Sequence, residues 1–366
     1  MLTIIIFIIV LSLLVFVHEL GHFLTARRLG VAVEEFGFGF PPRIFGVKRG
    51  GTMYSINWIP LGGFVKIKGE NGDDASEDDS FASKPLLWRI AVILAGVTMN
   101  VILAFVLFTA GYMIGVPQSI DTVPAGAIVS NETVRVGQVL ADSPAAKAGI
   151  LPGDIVVTGN GTAAGSADVL RQAIRNGSGE LDLMVKRDQV VKDVKITPET
   201  LKETGARGIG VELIDVGTIR FPWYLAPLKG AETTLVATWS IISAFWDLIV
   251  GIFAGHGLSA DVSGPVGIAV ITGQAVKIGF MYLVEFTALL SLNLAVINAI
   301  PFPALDGGRF LFLIIEALRG RAVSRKIEGI AHQVGFALLM LMILAVTYRD
   351  LVRYSGAIGS YLKALL

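Results

Sequence analysis

The stretch MLTIIIFIIVLSLLVFVHELGH, residues 1–22, decides the fold class. It holds no Asp, Glu, Lys or Arg before position 19, and a helix that crosses a bilayer needs about 20 mostly apolar residues. A secretory signal peptide is the alternative, but the stretch lacks a basic start and a small-residue cleavage site, and its apolar run is too long. We therefore predict a retained transmembrane helix.

The composition extends this prediction to the whole chain. Of 366 residues, 53% are hydrophobic and only 16% are charged, whereas soluble proteins average roughly 25% charged residues. The formal net charge is zero, which argues against a nucleic-acid partner. There are no cysteines, so disulfides, thiolate metal sites and a cysteine nucleophile are excluded. Any metal must be bound by His, Asp, Glu or Asn.

Three more windows lack charged residues: 90–116, the segment between Glu285 and Asp306, and the segment between Glu328 and Arg349. We predict an α-helical polytopic protein of the inner (cytoplasmic) membrane with four transmembrane helices. Basic residues mark cytoplasmic loops, which places both termini and residues 117–284 outside. The basic residues that set this orientation are Arg27, Arg28, Arg43, Lys48, Arg49, Arg319, Arg321, Arg325 and Lys326.

Residues 233–246 are also apolar, but Glu232 and Asp247 bracket them at a length that is short for a span. If they crossed, Asp306 would lie on the external side, far from His18. We predict a surface-lying or re-entrant helix.

Two β-rich parts are predicted outside the helices. Residues 123–215 alternate short apolar runs with turns, and the string from Val139 to Val157 resembles the core of a bacterial PDZ domain. Such a domain takes up extended peptides at a strand edge, although a spacer that binds nothing remains the alternative. Residues 52–68 predict a cytoplasmic β-hairpin with its turn at Pro60–Gly63, and residues 70–80 an acidic linker.

These features divide the chain into four predicted regions. Residues 1–116 hold transmembrane helices 1 and 2 and the hairpin, and residues 117–217 form an extracytoplasmic PDZ domain. Residues 218–284 form an interfacial linker, and residues 285–366 hold helices 3 and 4.

The strongest chemical signal is His18-Glu19-Leu-Gly-His22. Two histidines at i and i+4 share one helix face and can bind one metal ion, and the adjacent Glu19 can act as general base. Ionisable groups inside a membrane are costly and usually functional. The alternative is a helix cap that lies among the lipid headgroups.

Asp306 is the best third ligand. It follows two prolines in the motif from Asn298 to Gly308, and a broken helix in a membrane is tolerated where it lines a polar cavity. Its predicted depth matches that of the two histidines. His256 and His332 lack a neighbouring motif, so we expect packing or snorkelling roles for them.

These motifs, together with the PDZ-like segment and Val262–Ile268, resemble the bacterial site-2 protease family, in particular the regulator of sigma-E protease type. The resemblance covers nearly the whole chain. It implies that Zn²⁺ is bound by His18, His22 and Asp306, with Glu19 as the catalytic base. Only one PDZ domain fits here, whereas some members carry two.

The resemblance also implies the substrates: transmembrane segments of single-span proteins, such as anti-sigma factors first trimmed by a site-1 protease, or remnant signal peptides. We predict substrate binding by Asn298, by Asn100 as a site-wall residue, and by the hairpin at Ile56 and Trp58. Gly96 is read as a packing residue. A strand edge at the hairpin would satisfy the backbone groups of an unwound substrate helix.

Two rival functions remain open at this stage. A metal transporter also uses broken helices and polar residues in the membrane, but the sequence has no inverted repeat. An inactive scaffold would recruit partners through its PDZ domain, yet all four metal-centre residues are present. Non-haem iron can use the same ligand set as zinc.

Overall fold

The computed structural model describes residues 2–70, 76–177, 179–187, 190–201, 205–255 and 263–355, without the side chains of 252 and 253. The helices are α1 (Leu2–Arg28), α2 (Leu86–Ile114), α3 (Pro144–Lys147), α4 (Ala167–Asn176), α5 (Ala226–Phe253), α6 (Pro265–Ile278), α7 (Phe280–Ala299), α8 (Asp306–Arg319) and α9 (Arg325–Arg353). The strands are β1 (Val33–Arg49), β2 (Thr52–Ile67), β3 (Val116–Ser119), β4 (Ile128–Val139), β5 (Ile155–Gly159), β6 (Thr162–Ala163), β7 (Leu181–Arg187), β8 (Val190–Ile196), β9 (Glu199–Thr200), β10 (Arg207–Gly208) and β11 (Val211–Arg220).

The described residues form two compact units. The helical unit comprises the described parts of 1–108, 230–276 and 283–366, and the sheet unit comprises those of 109–229 and 277–282. The division into four regions that we made from the sequence stays a prediction.

Five helices within the described ranges are long and apolar enough to cross a membrane: α1, α2, α5, α7 and α9. A polytopic membrane protein with a β-rich region is therefore confirmed, while the number of spans stays a prediction. The helix that contains residues 233–246 is longer than the segment between Glu232 and Asp247, and its surface-lying or re-entrant position stays a prediction. α5 has 28 residues, because Glu232 and Asp247 lie within the helix instead of ending it.

The predicted hairpin within 52–68 is also wrong in its pairing. β2 pairs antiparallel with β1, and the connection is Gly50-Gly51, closed by the pair Arg49–Thr52. Both glycines have positive φ, 58° and 84°, which a two-residue hairpin loop favours. The sequence offered this Gly-Gly signal, but the prediction used the later Pro60–Gly63 stretch instead.

The two halves of β2 pair with opposite sides of β1. Phe36 pairs with both Tyr54 and Val65, while Ile56 pairs with both Phe38 and Phe45. The backbone of Ile56 is therefore not a free strand edge.

The bend in β2 is fixed by α1. The hydroxyl of Ser12 donates to the carbonyl of Pro60 at 2.6 Å and accepts from the N–H of Gly62 at 3.3 Å. A Cβ on Gly62 would lie 2.6 Å from the side chain of Val15. Close packing at this bend positions the second half of β2 along α1.

The described part of the acidic linker is held by Lys68. Its ammonium pairs with Asp79 at 2.8 Å and also with Glu77, and the N–H of Phe81 donates to the carbonyl of Lys68. The hydrogen bond from Lys68 lowers the pKa of the Asp79 carboxyl. Residues 71–75 of the predicted linker lie outside the described residues.

The sheet unit is built around an apolar core. Strands β3-β11-β4-β5-β7-β8 form one sheet, in that order, and β6 pairs with β5. Ser143 and Ser166 cap α3 and α4 by accepting hydrogen bonds from backbone N–H groups. The core side chains include Val134, Ile150, Val156, Leu170, Leu183 and Leu213.

Candidate metal centre

The two histidines of α1 lie side by side. His18 and His22 are one helical turn apart, which brings their Nε2 atoms to 3.2 Å from each other. Both residues are buried, at 6% and 7% exposure. The i, i+4 spacing alone produces this pair.

Asp306, the first residue of α8, completes the cluster. Its Oδ2 lies 2.9 Å from Nε2 of His18 and 3.2 Å from Nε2 of His22. The sequence predicted these three residues as ligands of one metal, and the structure brings them together across 288 positions of chain.

The donor set fits a zinc ion. Zinc binds imidazole nitrogen and carboxylate oxygen at about 2.0–2.2 Å in a tetrahedron, so neighbouring donors lie roughly 3.3 Å apart. The separations of 2.9–3.2 Å in the cluster agree with that edge length. Two nitrogens and one oxygen occupy three corners, which is the ligand count of a catalytic site.

Hydrogen bonds behind the rings keep both Nε2 lone pairs available. Nδ1 of His22 lies 2.8 Å from the carbonyl of Val92, to which it can only donate. Nδ1 of His18 lies 3.3 Å from the Asn100 amide. Rotating that amide by 180° lets Oδ1, which has no partner among the described residues, accept from His18. Both rings then carry their proton on Nδ1.

This geometry changes the interpretation of Asn100. We predicted a site-wall residue that binds substrate. Asn100 is fully buried, its side chain contacts His18, and its backbone carbonyl accepts a hydrogen bond from the hydroxyl of Ser291 at 2.7 Å. It lies at Nδ1 of His18, where it can orient a predicted ligand, and its role in substrate binding stays a prediction.

Gly96 of α2 lies directly against the rings of His18 and His22, one turn before Asn100. A Cβ at this position would lie 2.3 Å from Nε2 of His22 and 2.7 Å from Nε2 of His18. Gly21 makes the opposite contact, since its Cβ would lie 2.4 Å from the carbonyl of Ala95. Glycines on both helices permit this approach. The sequence signal was the spacing of four between Gly96 and Asn100, which places both on one helix face.

Glu19 lies next to the cluster and is partly buried. The backbone N–H of Val65, in the second half of β2, interacts with its carboxylate. The part of the sheet beside the metal centre is thus Val65, whereas the sequence pointed to Ile56 and Trp58.

The other residues predicted to bind substrate do not belong to the group formed by His18, His22 and Asp306. Asn298 lies one residue before the end of α7 and is partly buried. Ile56 and Trp58 are 52% and 68% exposed on β2. His256 lies outside the described residues.

Comparisons with known proteins show the family of this chain. The model of peptidase family M50 matches residues 6–342. The chain is 32% identical to the regulator of sigma-W protease RasP of Bacillus subtilis, with 96% of this chain and 98% of that protein covered. It is also 32% identical to the zinc metalloprotease RasP of Geobacillus kaustophilus, with the same coverage.

A family model that spans most of the chain and relatives that match it nearly end to end lead to one conclusion. The described helices fit a multi-pass inner-membrane protein. The chain belongs to peptidase family M50, the site-2 protease family of zinc metalloproteases.

Proposed function

We propose that this protein is an intramembrane endopeptidase that hydrolyses peptide bonds within the transmembrane segments of single-span membrane proteins. One observation carries the proposal: Nε2 of His18 and His22 and Oδ2 of Asp306 converge within 3.2 Å, beside Glu19, on a helix apolar enough to span a membrane. A transporter or a scaffold would not need a general base at this place.

His18, His22 and Asp306 hold the zinc in this proposal. When bound, zinc supplies a Lewis acid that polarises the scissile carbonyl and lowers the pKa of water to about 7. The bond from Nδ1 of His22 to Val92 and the contact of His18 with Asn100 keep both rings oriented toward the ion.

Glu19 is the general base. It takes a proton from the attacking water as the water oxygen bonds to the carbonyl carbon, and it gives that proton to the amine nitrogen as the C–N bond breaks. The backbone N–H of Val65, in the second half of β2, interacts with this carboxylate.

A helical substrate must unwind before it is cut, and each freed backbone group in lipid costs several kcal/mol. We propose that the unwound segment lies along the second half of β2, near Val65. Asn298 hydrogen-bonds the substrate backbone or the oxyanion. Ile56 and Trp58 contact the substrate through their exposed side chains, because the backbone of Ile56 is already paired.

The substrates we propose are anti-sigma factors already trimmed by a site-1 protease, or remnant signal peptides. The name of the Bacillus subtilis relative, a regulator of sigma-W protease, supports the first class. The bilayer is the medium of the reaction, and nucleic acid has no part in it.

We further propose that residues 117–217 form an extracytoplasmic PDZ domain that takes up extended peptides, with the metal centre near the cytoplasmic side. The antiparallel sheet and the capped helix α4 support this assignment. In the same proposal, residues 1–116 and 285–366 form the catalytic membrane core and 218–284 connect it to the PDZ domain.

Cleavage of a single-span model substrate by the purified, detergent-solubilised chain tests the function. Glu19→Gln removes the base but keeps a side chain of the same size, so we expect cleavage to fall by roughly 10²- to 10⁴-fold with zinc content unchanged. Equal cleavage by the variant and the wild type would refute the mechanism.

A further inference from the structure

The turn that leads into Asp306 has an unusual backbone. α7 ends at Ala299 and α8 begins at Asp306. In the turn between them, the N–H of Phe302 donates to the carbonyl of Ile300, and the N–H of Leu305 donates to the carbonyl of Phe302. Ala304, inside this turn, has a φ of +83°, a conformation that residues other than glycine rarely adopt. Something must hold Ala304 in that conformation.

His332 of α9 is the side chain that contacts Ala304. Its Nδ1 lies 2.8 Å from the backbone nitrogen of Ala304. Because a backbone N–H can only donate, Nδ1 must accept, and the ring proton resides on Nε2. Nε2 is buried and has no partner among the described residues. The hydrogen bond to Ala304 is thus the polar contact that fixes the orientation of this ring.

The backbone of α9 packs against the same turn. A Cβ on Gly335, which lies close to one helical turn after His332, would be 2.3 Å from the carbonyl oxygen of Pro303. The ring of Phe312 in α8 lies 5.6 Å from the His332 ring. Contacts from both helices therefore place the imidazole against the turn.

We propose that His332 is a positioning residue for the metal centre: it holds Ala304 at positive φ so that the Asp306 carboxylate reaches His18 and His22. This inference rests on the proposed role of Asp306 as a metal ligand. Asp306 follows Ala304 by two residues, so rotation about φ of Ala304 would displace the carboxylate.

Zinc retention by the purified full-length chain, titrated with EDTA, tests the inference without a substrate. His332→Leu removes the acceptor but keeps a buried side chain, and we expect it to lose zinc at a roughly tenfold or more lower EDTA concentration. His332→Asn places Oδ1 as many bonds from Cβ as Nδ1 is, and should retain zinc like the wild type. His332→Gln places its acceptor one bond farther away and should behave like His332→Leu.

A second-site change separates positioning from general packing. Glycine adopts positive φ without strain, so Ala304→Gly should restore much of the zinc retention lost in His332→Leu. Leu341→Ala, at a residue of α9 that is 68% exposed, is the control and should leave retention unchanged. Equal retention by His332→Leu and wild type, equal loss in the Asn and Gln variants, or no effect of Ala304→Gly would each overturn the inference.

Asp306→Ala distinguishes this failure from failure of the proposed function. If Asp306→Ala loses zinc while His332→Leu retains it, the positioning inference fails alone. If Asp306→Ala retains zinc, the proposed ligand set fails first.

Discussion

The two units differ in how many polar side chains they bury. The main core of the sheet unit consists of Val, Ile, Leu and Ala, and its buried polar residues in the described ranges are Ser143 and Asp154. The helical unit buries His18, His22, Asn100, Thr272 and Ser291 besides its apolar residues. Water drives apolar burial in a soluble domain, but lipid does not, so helices in a membrane associate through small residues and polar contacts. The interior of the helical unit can therefore contain polar side chains that bind a metal or transfer a proton.

The largest expected effect tests the apolar core of the sheet unit. Leu183 is 1% exposed in the core of the sheet unit, and Leu183→Ala should destabilise that unit by about 2–5 kcal/mol. Native-state hydrogen exchange of the full chain would measure the loss in β7. Val190→Ala, in the neighbouring strand at 58% exposure, is the control and should change little. Because the proposed metal ligands lie in the other unit, we expect zinc content to persist, and its loss would contradict the separation of roles.

The next effect tests close approach in the helical unit. Gly96→Ala would place a methyl group against the rings of His18 and His22, and overpacking of this kind costs about 1–3 kcal/mol. We expect weaker zinc retention, measured by EDTA titration, and weaker cleavage. Gly329→Ala in α9 is the matched control, since a Cβ there meets nothing within 4 Å. Similar zinc retention by the two variants would show that close packing of Gly96 against the two histidine rings is not needed for zinc binding.

The smallest effect concerns the exposed ion pair of Lys68 and Asp79. The pKa of Asp79 is lowered in the folded chain, so its contribution is present above the ordinary value of 3.8 and is lost as the pH falls through the lowered folded pKa. The N–H of Phe81 bonds to the carbonyl of Lys68, and its protection from hydrogen exchange, relative to the intrinsic rate at each pH, should fall in that acidic range. In Lys68→Ala this fall in protection should be absent, and its persistence would contradict the assignment.

The sequence predicted the metal cluster because its cues are local and chemical. His18, Glu19 and His22 occupy one turn of helix, and the prolines before Asp306 mark a broken helix in an apolar context. Each of these residues carries chemistry that has few other uses in a membrane.

The predictions were wrong where contacts between residues far apart in the sequence determine strand pairing and helix length. Nothing local indicates that the first half of β2 pairs on both sides with β1, or that Ser12 fixes its bend. Two charges within α5 were read as its ends, although a long helix tolerates them. For His332 we expected packing or snorkelling, because the sequence does not indicate the positive φ of Ala304, the residue that it contacts.

Zinc K-edge X-ray absorption of the purified wild-type chain tests the central claim most directly. The account predicts a four-coordinate zinc with two imidazole nitrogens and one carboxylate oxygen at about 2.0–2.2 Å, and the loss of one imidazole in His22→Ala. A zinc spectrum that contains no imidazole, or one that is unchanged in His22→Ala, would contradict the claim that His18, His22 and Asp306 form the metal centre.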